Sequence, residues 1–316
     1  MILFTADWHI KLGQKNVPTS WAIDRYNMFL DQLSAIEPRC TLHIVGGDLF
    51  DRLPTMEELA LYFDFVSRAS ITTLIFDGNH EATRKNATFF SHLKEATSRI
   101  NNKVFIIDEP TTELRFSILP YCYLHRKGWI EKMPKDKPLF THVRGEIPPH
   151  VKPEVDLDRF EGFPVVFAGD LHAHSNTQKN IVYPGSPMTT SFHRNHVSTG
   201  YLLIDENNFH WKWESFDLPQ LIRKTVQDPK DMIPTDFDHT IYELEGDISN
   251  LAEVENSELL DKKIIRRNSE ASLILDKDLS KEEELIEYLL YIEGLPEEEV
   301  KEVISVFREY AIGEVD

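Results

Sequence analysis

The chain alternates short apolar runs with polar breaks, and the breaks share a composition. Residues 1–6 are apolar apart from Thr5 and open onto Asp7 and His9. Leu42 to Val45 ends in Gly46-Gly47 and then Asp48. Ile71 to Phe76 leads to Asn79 and His80, Leu139 to Thr141 leads to His142, and Pro164 to Phe167 leads to Asp170 and His172. Short apolar runs bounded in this way read as buried strands. Between the first three lie helical periods. Tyr26, Phe29, Leu30 and Leu33 follow i, i+3, i+4, i+7, as do Leu59, Tyr62, Phe63 and Val66. Thr55, with Glu58 three residues on, reads as a capping box that starts the second helix. The resulting βαβαβ order predicts a largely parallel sheet with covering helices.

From Val104 the texture changes to short strands with little helix between them: Val104–Ile107, Phe116–Leu119, Leu139–Thr141, Val165–Phe167, Ile181–Tyr183 and Tyr201–Ile204. The two halves together predict an α/β protein in which two packed sheets are flanked by helices. A first domain is expected over residues 1–218, ending at Leu218-Pro219. A small α/β unit is expected over 219–279, with strands at Thr240–Leu244, Ile264-Ile265 and Ser272–Leu275 and a helical stretch near Leu251–Leu260. Residues 280–316 read as a helical hairpin. Ser280 and Glu283 form its capping box, Gly294-Leu295-Pro296 its turn, and Val300, Val303, Ile304 and Phe307 its apolar face.

Charge narrows the possible partners. The formal net charge is −19. Residues 280–316 hold 12 Asp/Glu against 3 Lys/Arg, a net −9, which leaves −10 for residues 1–279. Such acidity argues against loose, purely electrostatic binding of nucleic acid. It leaves room for a local basic rim beside bound cations, which bring their own positive charge. Cys40 and Cys122 are far apart and form no C-x-x-C, so neither a disulfide framework nor a thiolate zinc site is expected. Asp7 comes too early for a signal-peptide core, and no apolar run approaches a membrane span. A soluble, cytoplasmic protein is expected, in the host cytoplasm for a phage-encoded chain.

Each strand end carries Asp, His or Asn, often just after glycine, at the sheet edge where ligand sites of open α/β folds collect. These are hard-to-borderline ligands suited to Mn²⁺, Fe or Zn²⁺. In Asp7-Trp8-His9 a period of two returns both side chains to one face. A carboxylate such as Asp48 can bridge two cations, and a pair of cations can clamp the oxygens of an in-line displacement at phosphorus.

The five stretches in order resemble the calcineurin-like metallophosphoesterases, whose pattern runs D-x-H, G-D-x-x-[DH], G-N-H-[DE], a lone His, then G-H-x-H. Within that superfamily the chain looks most like the SbcD-type DNA-repair exonucleases and their phage counterparts. Gly47-Asp48-Leu49-Phe50-Asp51, Tyr183-Pro-Gly-Ser-Pro-Met and the acidic helical tail carry this closer likeness. The resemblance implies a four-layer α/β/β/α metallophosphoesterase sandwich with a small α/β cap domain that binds DNA. It implies two divalent metal ions, Mn²⁺ foremost with Mg²⁺ as the other candidate. Asp7, His9, Asp48 and His172 would hold one ion, and Asp48, Asn79, His142 and the first member of the last motif the other. His80 would act on phosphorus or on the leaving 3′ oxygen, with Asp51 orienting it or capping the following turn.

The last motif departs from the pattern, reading Gly169-Asp170-Leu171-His172. Either Asp170 replaces the histidine, or the register slips and His172 pairs with His174. Asp170 is favoured, because the glycine and strand end fix the register. Lys11, Lys15, Arg52, Arg84 and Lys85 follow the motifs closely and could contact phosphates without reading sequence. Ser186 and Arg194 are further candidate substrate contacts. The implied partners are DNA, an SMC-like coiled-coil ATPase of the SbcC type that the hairpin would dock on, and a second copy of the chain. The implied activity is 3′→5′ exonuclease action on duplex ends and endonuclease action on single strands. The alternatives are a phosphatase or small phosphodiester hydrolase of the same superfamily, and an inactive scaffold subunit that binds DNA and partner.

Overall fold

The computed structural model describes residues 1–84, 87–247, 251–252, 254–265, 280–293 and 295–311. They fall into two units, Met1–Glu243 with Asn256–Lys262, and Leu244–Glu255 with Lys263–Asp316.

The first unit is built on two sheets. The larger runs Trp211–Ser215, Gly200–Ile204, Ile2–Thr5, Leu42–Gly46, Thr72–Phe76, Val104–Ile107. Its last four strands are parallel, and Gly200–Ile204 closes antiparallel on Ile2–Thr5. The smaller runs Ile181–Val182, Val166–Gly169, Leu139–His142, Ser117–Leu119, Thr111–Thr112. Here Gly169 lies opposite His142, so the fourth and fifth polar breaks leave their sheet side by side. Phe4, Ile44, Phe76 and Leu202 of one sheet pack on Phe116, Ile118, Phe140 and Phe167 of the other. Phe4 meets Phe140 edge-on at 5.3 Å, a favoured aromatic geometry.

Helices Thr19–Ile36, Met56–Arg68 and Phe90–Ile100 cover the outer face of the larger sheet, through Phe29, Leu33, Tyr62, Phe65 and Phe90. Short helices Tyr121–Leu124 and Trp129–Lys132, with Phe160 and Phe163, cover the smaller one. The architecture is therefore the four-layer α/β/β/α sandwich that the sequence predicts. Both cysteines are free and buried.

Among the elements that were not legible in the sequence, three stand out. The helix Phe90–Ile100 buries only Phe90 and Thr97 of its own residues, so its apolar stripe is thin. Trp211–Ser215 is a half-exposed edge strand. Leu221–Val226 joins His239–Gly246 and Leu260–Ile265 in a third sheet. The helix expected near Leu251–Leu260 is a correction. Only Leu251 and Ala252 are helical among the described residues there, and Leu260 begins the strand. The expected strand Ser272–Leu275 lies outside the described residues.

In the second unit the hairpin is present. Ser280 accepts from the Glu283 backbone N–H at 3.3 Å and donates its own N–H to the Glu283 carboxylate at 2.8 Å. Helix Lys281–Glu287 runs on as a π-turn through Tyr288–Ile292, and a second helix spans Glu297–Ala311. Leu289, Val300 and Ile304 form its small buried core, while Val303 on the expected face stays exposed. Among the described residues no helix is long and apolar enough to cross a membrane.

Candidate metal centre

Backbone conformation does part of the positioning. Asp7 (φ 57°), His9 (45°), Asp48 (50°) and Asp170 (106°) all have positive φ, a region that side-chain-bearing residues rarely occupy. Such strain persists only where surrounding contacts fix it. Asp7 N–H donates to Gly47 O at 3.0 Å, His9 N–H to Asp48 O at 2.9 Å, and Ile10 N–H to Leu49 O at 2.8 Å, lacing the first two loops together. Glu81 ties the second loop to the third. Its carboxylate accepts from Asp48 N (2.9 Å), Phe50 N (2.9 Å) and Gly78 N (2.8 Å). Burial, and then the charge of Asp48, push Glu81 up to about 8, against the pull of those N–H groups. Gly47 (φ 86°) has to be glycine, because a Cβ there would lie 2.6 Å from Gly78 N.

The side chains converge on Asp48. Its Oδ2 lies 3.5 Å from His142 Nε2 and 3.8 Å from both His9 Nε2 and His80 Nε2. His9 Nε2 and His172 Nε2 face each other at 3.0 Å. His142 Nε2 is 2.9 Å from Asn79 Oδ1 and 3.9 Å from Asp170 Oδ1. Three groups have ligand atoms close enough for one ion: Asp7, His9 and His172; His9, Asp48 and His80; Asp7, Asp48 and His142. Asp48 belongs to two of them. Outer contacts aim the rings. His142 Nδ1 is 2.9 Å from Gly46 O, and His172 Nδ1 is 3.1 Å from Thr190 Oγ1. An Nδ1–H given to a carbonyl leaves the Nε2 lone pair facing inward, as a metal ligand requires.

The donor set fits a divalent pair. Asn79 Oδ1 faces only acceptors, and with the amide turned its nitrogen would sit 2.9 Å from His142 Nε2 and 3.2 Å from both Asp48 Oδ2 and Asp170 Oδ1. A positive group belongs among these atoms, whether an amide N–H, the proton of His142 or a cation. His9 Nε2 and His172 Nε2, 3.0 Å apart, need either a proton on one of them or a cation between them. Burial pushes Asp7 well above the usual carboxylate range, and Asp48 and Asp170 push it further. Burial also pushes His9 down to about 3 and lowers His172, leaving both imidazoles neutral, the form that binds metal. Burial opposes the charge on Asp48, but His142 and His9 outweigh it and hold the carboxyl low. Against burial, Asp48 raises His142, which is its counter-charge here. Oxygen and imidazole donors without thiolate suit Mn²⁺, Mg²⁺ or Zn²⁺ rather than a soft metal.

The structure places the remaining expected residues as follows. Asp170 leaves its strand beside Asp7, whose carboxylate accepts its N–H at 3.0 Å. His174 points away, with Nδ1 2.6 Å from Tyr183 O and its ring stacked on Trp213. His80 Nδ1 lies 2.5 Å from the backbone carbonyl of Asp51, so the main chain rather than the carboxylate of Asp51 aims this ring. That carboxylate instead pairs with Lys11 at 2.7 Å. Arg52 is paired with Glu58 at 2.7 Å, Arg194 with Glu243 at 2.8 Å, and Lys15 lies 4.0 Å from Asp261. Arg84 is exposed, and Lys85 lies outside the described residues. Ser186 is buried, its hydroxyl 2.7 Å from Asp7 O and 2.6 Å from Met188 O, so it braces the site from beneath. Sequence reading missed Thr190, the clamping role of Glu81, and Arg144, whose Nε and Nη2 lie 3.3 and 3.2 Å from the two Asp170 oxygens. None of these is marked by a spacing rule, although Glu81 closes a motif that was read.

Comparison with known proteins agrees with this geometry. Residues 1–174 match the calcineurin-like phosphoesterase family. A protein of Escherichia phage T5 named "Probable exonuclease subunit 1" is 41% identical over 322 residues, covering 98% of either chain. A protein of Invertebrate iridescent virus 6 named "Putative phosphoesterase 244L" is 27% identical over 256 residues, 72% of this chain and 83% of that one. The family match spans more than half of the chain and includes every strand end that delivers a side chain to Asp48. With the shared-carboxylate cluster at its centre, the chain belongs to the calcineurin-like phosphoesterases and is a metal-dependent phosphoesterase.

Proposed function

We propose that the chain is a two-metal DNA nuclease, a 3′→5′ exonuclease on duplex ends and an endonuclease on single strands, with Mn²⁺ the preferred ion. The observation that carries the reading is the convergence of His9, His80 and His142 on the one carboxylate of Asp48. The near full-length likeness to a phage protein named as an exonuclease subunit supports DNA as substrate. Asp7, His9, Asp48 and His172 would hold one ion, and Asp48, Asn79, His142 and Asp170 the other. When bound, the ions supply Lewis-acid charge to the phosphoryl oxygens and lower the pKa of the water nucleophile. His80, fixed at Nδ1 and exposed at the mouth of the site, offers Nε2 to the leaving 3′ oxygen as a proton donor. Lys11, Arg52, Arg84 and Lys85 are the further phosphate contacts of this reading, for which Lys11 and Arg52 would have to leave Asp51 and Glu58.

The chain would act as a homodimer in the host cytoplasm, alongside an SMC-like coiled-coil ATPase. In this arrangement residues 1–218 cut, 219–279 hold DNA and the 280–316 hairpin docks on the ATPase. The test is incubation of purified protein with end-labelled duplex and single-stranded DNA, in Mn²⁺, Mg²⁺ or chelator, with and without ATP and partner. Shortening from 3′ ends in Mn²⁺ and none in chelator is expected. Rapid hydrolysis of a nitrophenyl phosphate monoester with DNA left intact would move the chain to the phosphatases.

A further inference from the structure

We propose that Arg144 is the phosphate-binding residue of the metal pocket. Asp170 holds one edge of its guanidinium, and the other edge takes a nonbridging oxygen of the phosphodiester. The inference rests on the phosphodiesterase reading of this pocket and adds the protein group that takes up substrate charge.

A cavity of about 430 Å³ opens between Asp48, Asn79, His80, Asp170 and His172, and Arg144 is the one Lys or Arg among the described residues that line it. Two cations of the loops that deliver His9 and Asp48 are already committed, Lys11 to Asp51 and Arg52 to Glu58. Arg144 is committed on one edge only. Its Nε and Nη2 meet the two Asp170 oxygens as a fork, while Nη1 makes no hydrogen bond among the described residues. A guanidinium has five N–H donors in a rigid plane, so a second fork remains for a planar or tetrahedral oxyanion.

The backbone beneath is pinned. Arg144 N–H donates to Glu154 Oε1 at 3.0 Å, and Glu154 Oε2 is itself 2.9 Å from the Tyr121 hydroxyl. Gly145 next to it is closely packed, since a Cβ there would lie 2.8 Å from the hydroxyl of the buried Tyr183. The side chain, 43% exposed and held by the Asp170 fork, stands on the rim.

Charge balance gives the reason for an arginine there. Asp7, Asp48 and Asp170 put three carboxylates into one pocket, and the substrate is itself an anion. Asp170 stands where the G-H-x-H pattern has a neutral imidazole, so this chain carries one negative charge more. Arg144 offsets that charge and still presents donors to phosphate. A lysine could match the charge but not both forks.

The test compares Arg144→Gln and Arg144→Lys with the wild type. Manganese stoichiometry and inorganic phosphate binding would be read by calorimetry, and KM and kcat with an oligonucleotide. Arg144→Gln should keep two ions per chain, weaken phosphate binding about tenfold and raise KM at least as much, with Arg144→Lys intermediate. Unchanged phosphate binding and KM in Arg144→Gln would refute the proposal. So would loss of an ion, which would make Arg144 a positioning residue for Asp170 only. The side chain is rim-exposed and its fixing bond is through the backbone, so both variants should fold. If wild-type protein cuts no phosphodiester, the nuclease reading fails, and phosphate titration still decides whether Arg144 binds the anion.

Discussion

At the scale of single residues, the site separates groups that hold charge from one that moves a proton. His80 is the test of that separation. Its ring lies 3.8 Å from Asp48 and belongs to one of the three ion-sized groups, so geometry alone allows it as a ligand. Its Nδ1 on the Asp51 carbonyl and its position at the mouth suit proton donation better. Replacing His80 by Asn should therefore leave two metal ions per chain, counted by elemental analysis. Cleavage should fall by about 10²–10⁴-fold, the usual contribution of a positioned acid. Loss of an ion in this variant would reassign His80 to the ligands. Asp7, His9, Asp48, Asn79 and His80 were legible because each closes a strand, and strand ends converge whatever the loops do. Arg144 and Thr190 were not, because their partners lie 26 and 18 residues away and no local pattern links them.

At the scale of elements, the parallel strands were readable because they are mostly buried and mostly apolar, with His43 and Thr73 as buried polar exceptions. Trp211–Ser215 alternates instead, since it is an edge strand facing solvent on one side. The best-read helix start is Met56–Arg68, and its capping box reaches beyond the helix. Glu58 accepts from Thr55 N (2.8 Å), from Leu12 N in the first loop (2.8 Å) and from Arg52 (2.7 Å). It thus joins the helix to the segment that follows His9. Burial works against the Glu58 charge, but Arg52 and the two backbone N–H groups outweigh it and hold the carboxyl below its usual range. A depressed folded-state pKa gives stability that is present above the unfolded value, about 4.3, and lost as pH falls through the folded value. Glu58→Gln should then cost about 2 kcal/mol at pH 7, since it leaves buried N–H groups facing an amide. The gap from wild type, measured by urea unfolding, should narrow below about pH 4. A gap that stays constant down to pH 3 would show that the charge on Glu58 contributes nothing.

At the scale of the whole molecule, the question is how a chain of net charge −19 can engage a polyanion at all. The acidity is not spread evenly, since residues 280–316 hold −9 of it, yet the remainder is still negative. Within the first unit Lys11, Arg52 and Arg194 are each paired with a carboxylate, so a row of free lysines is not what draws phosphate in. Two divalent ions would add +4 at the point where Asp7, Asp48 and Asp170 crowd together, and would relieve the burial that now pushes Asp7 upward. The same ions should therefore govern folding stability and DNA affinity together. An ion that binds only the folded chain stabilises it by about 2.7 kcal/mol at one hundred times its Kd. For a chain of 316 residues that corresponds to a rise in Tm of about 4 °C. Adding Mn²⁺ to chelator-treated protein should raise Tm by that much and, measured under non-cleaving conditions with His80→Asn, strengthen DNA binding in parallel. Asp48→Asn should lose both responses, because the shared carboxylate is what lets two positive ions sit side by side. If Tm rises with Mn²⁺ while DNA affinity stays flat, the ions stabilise the fold without recruiting the substrate, and a basic surface elsewhere must do so.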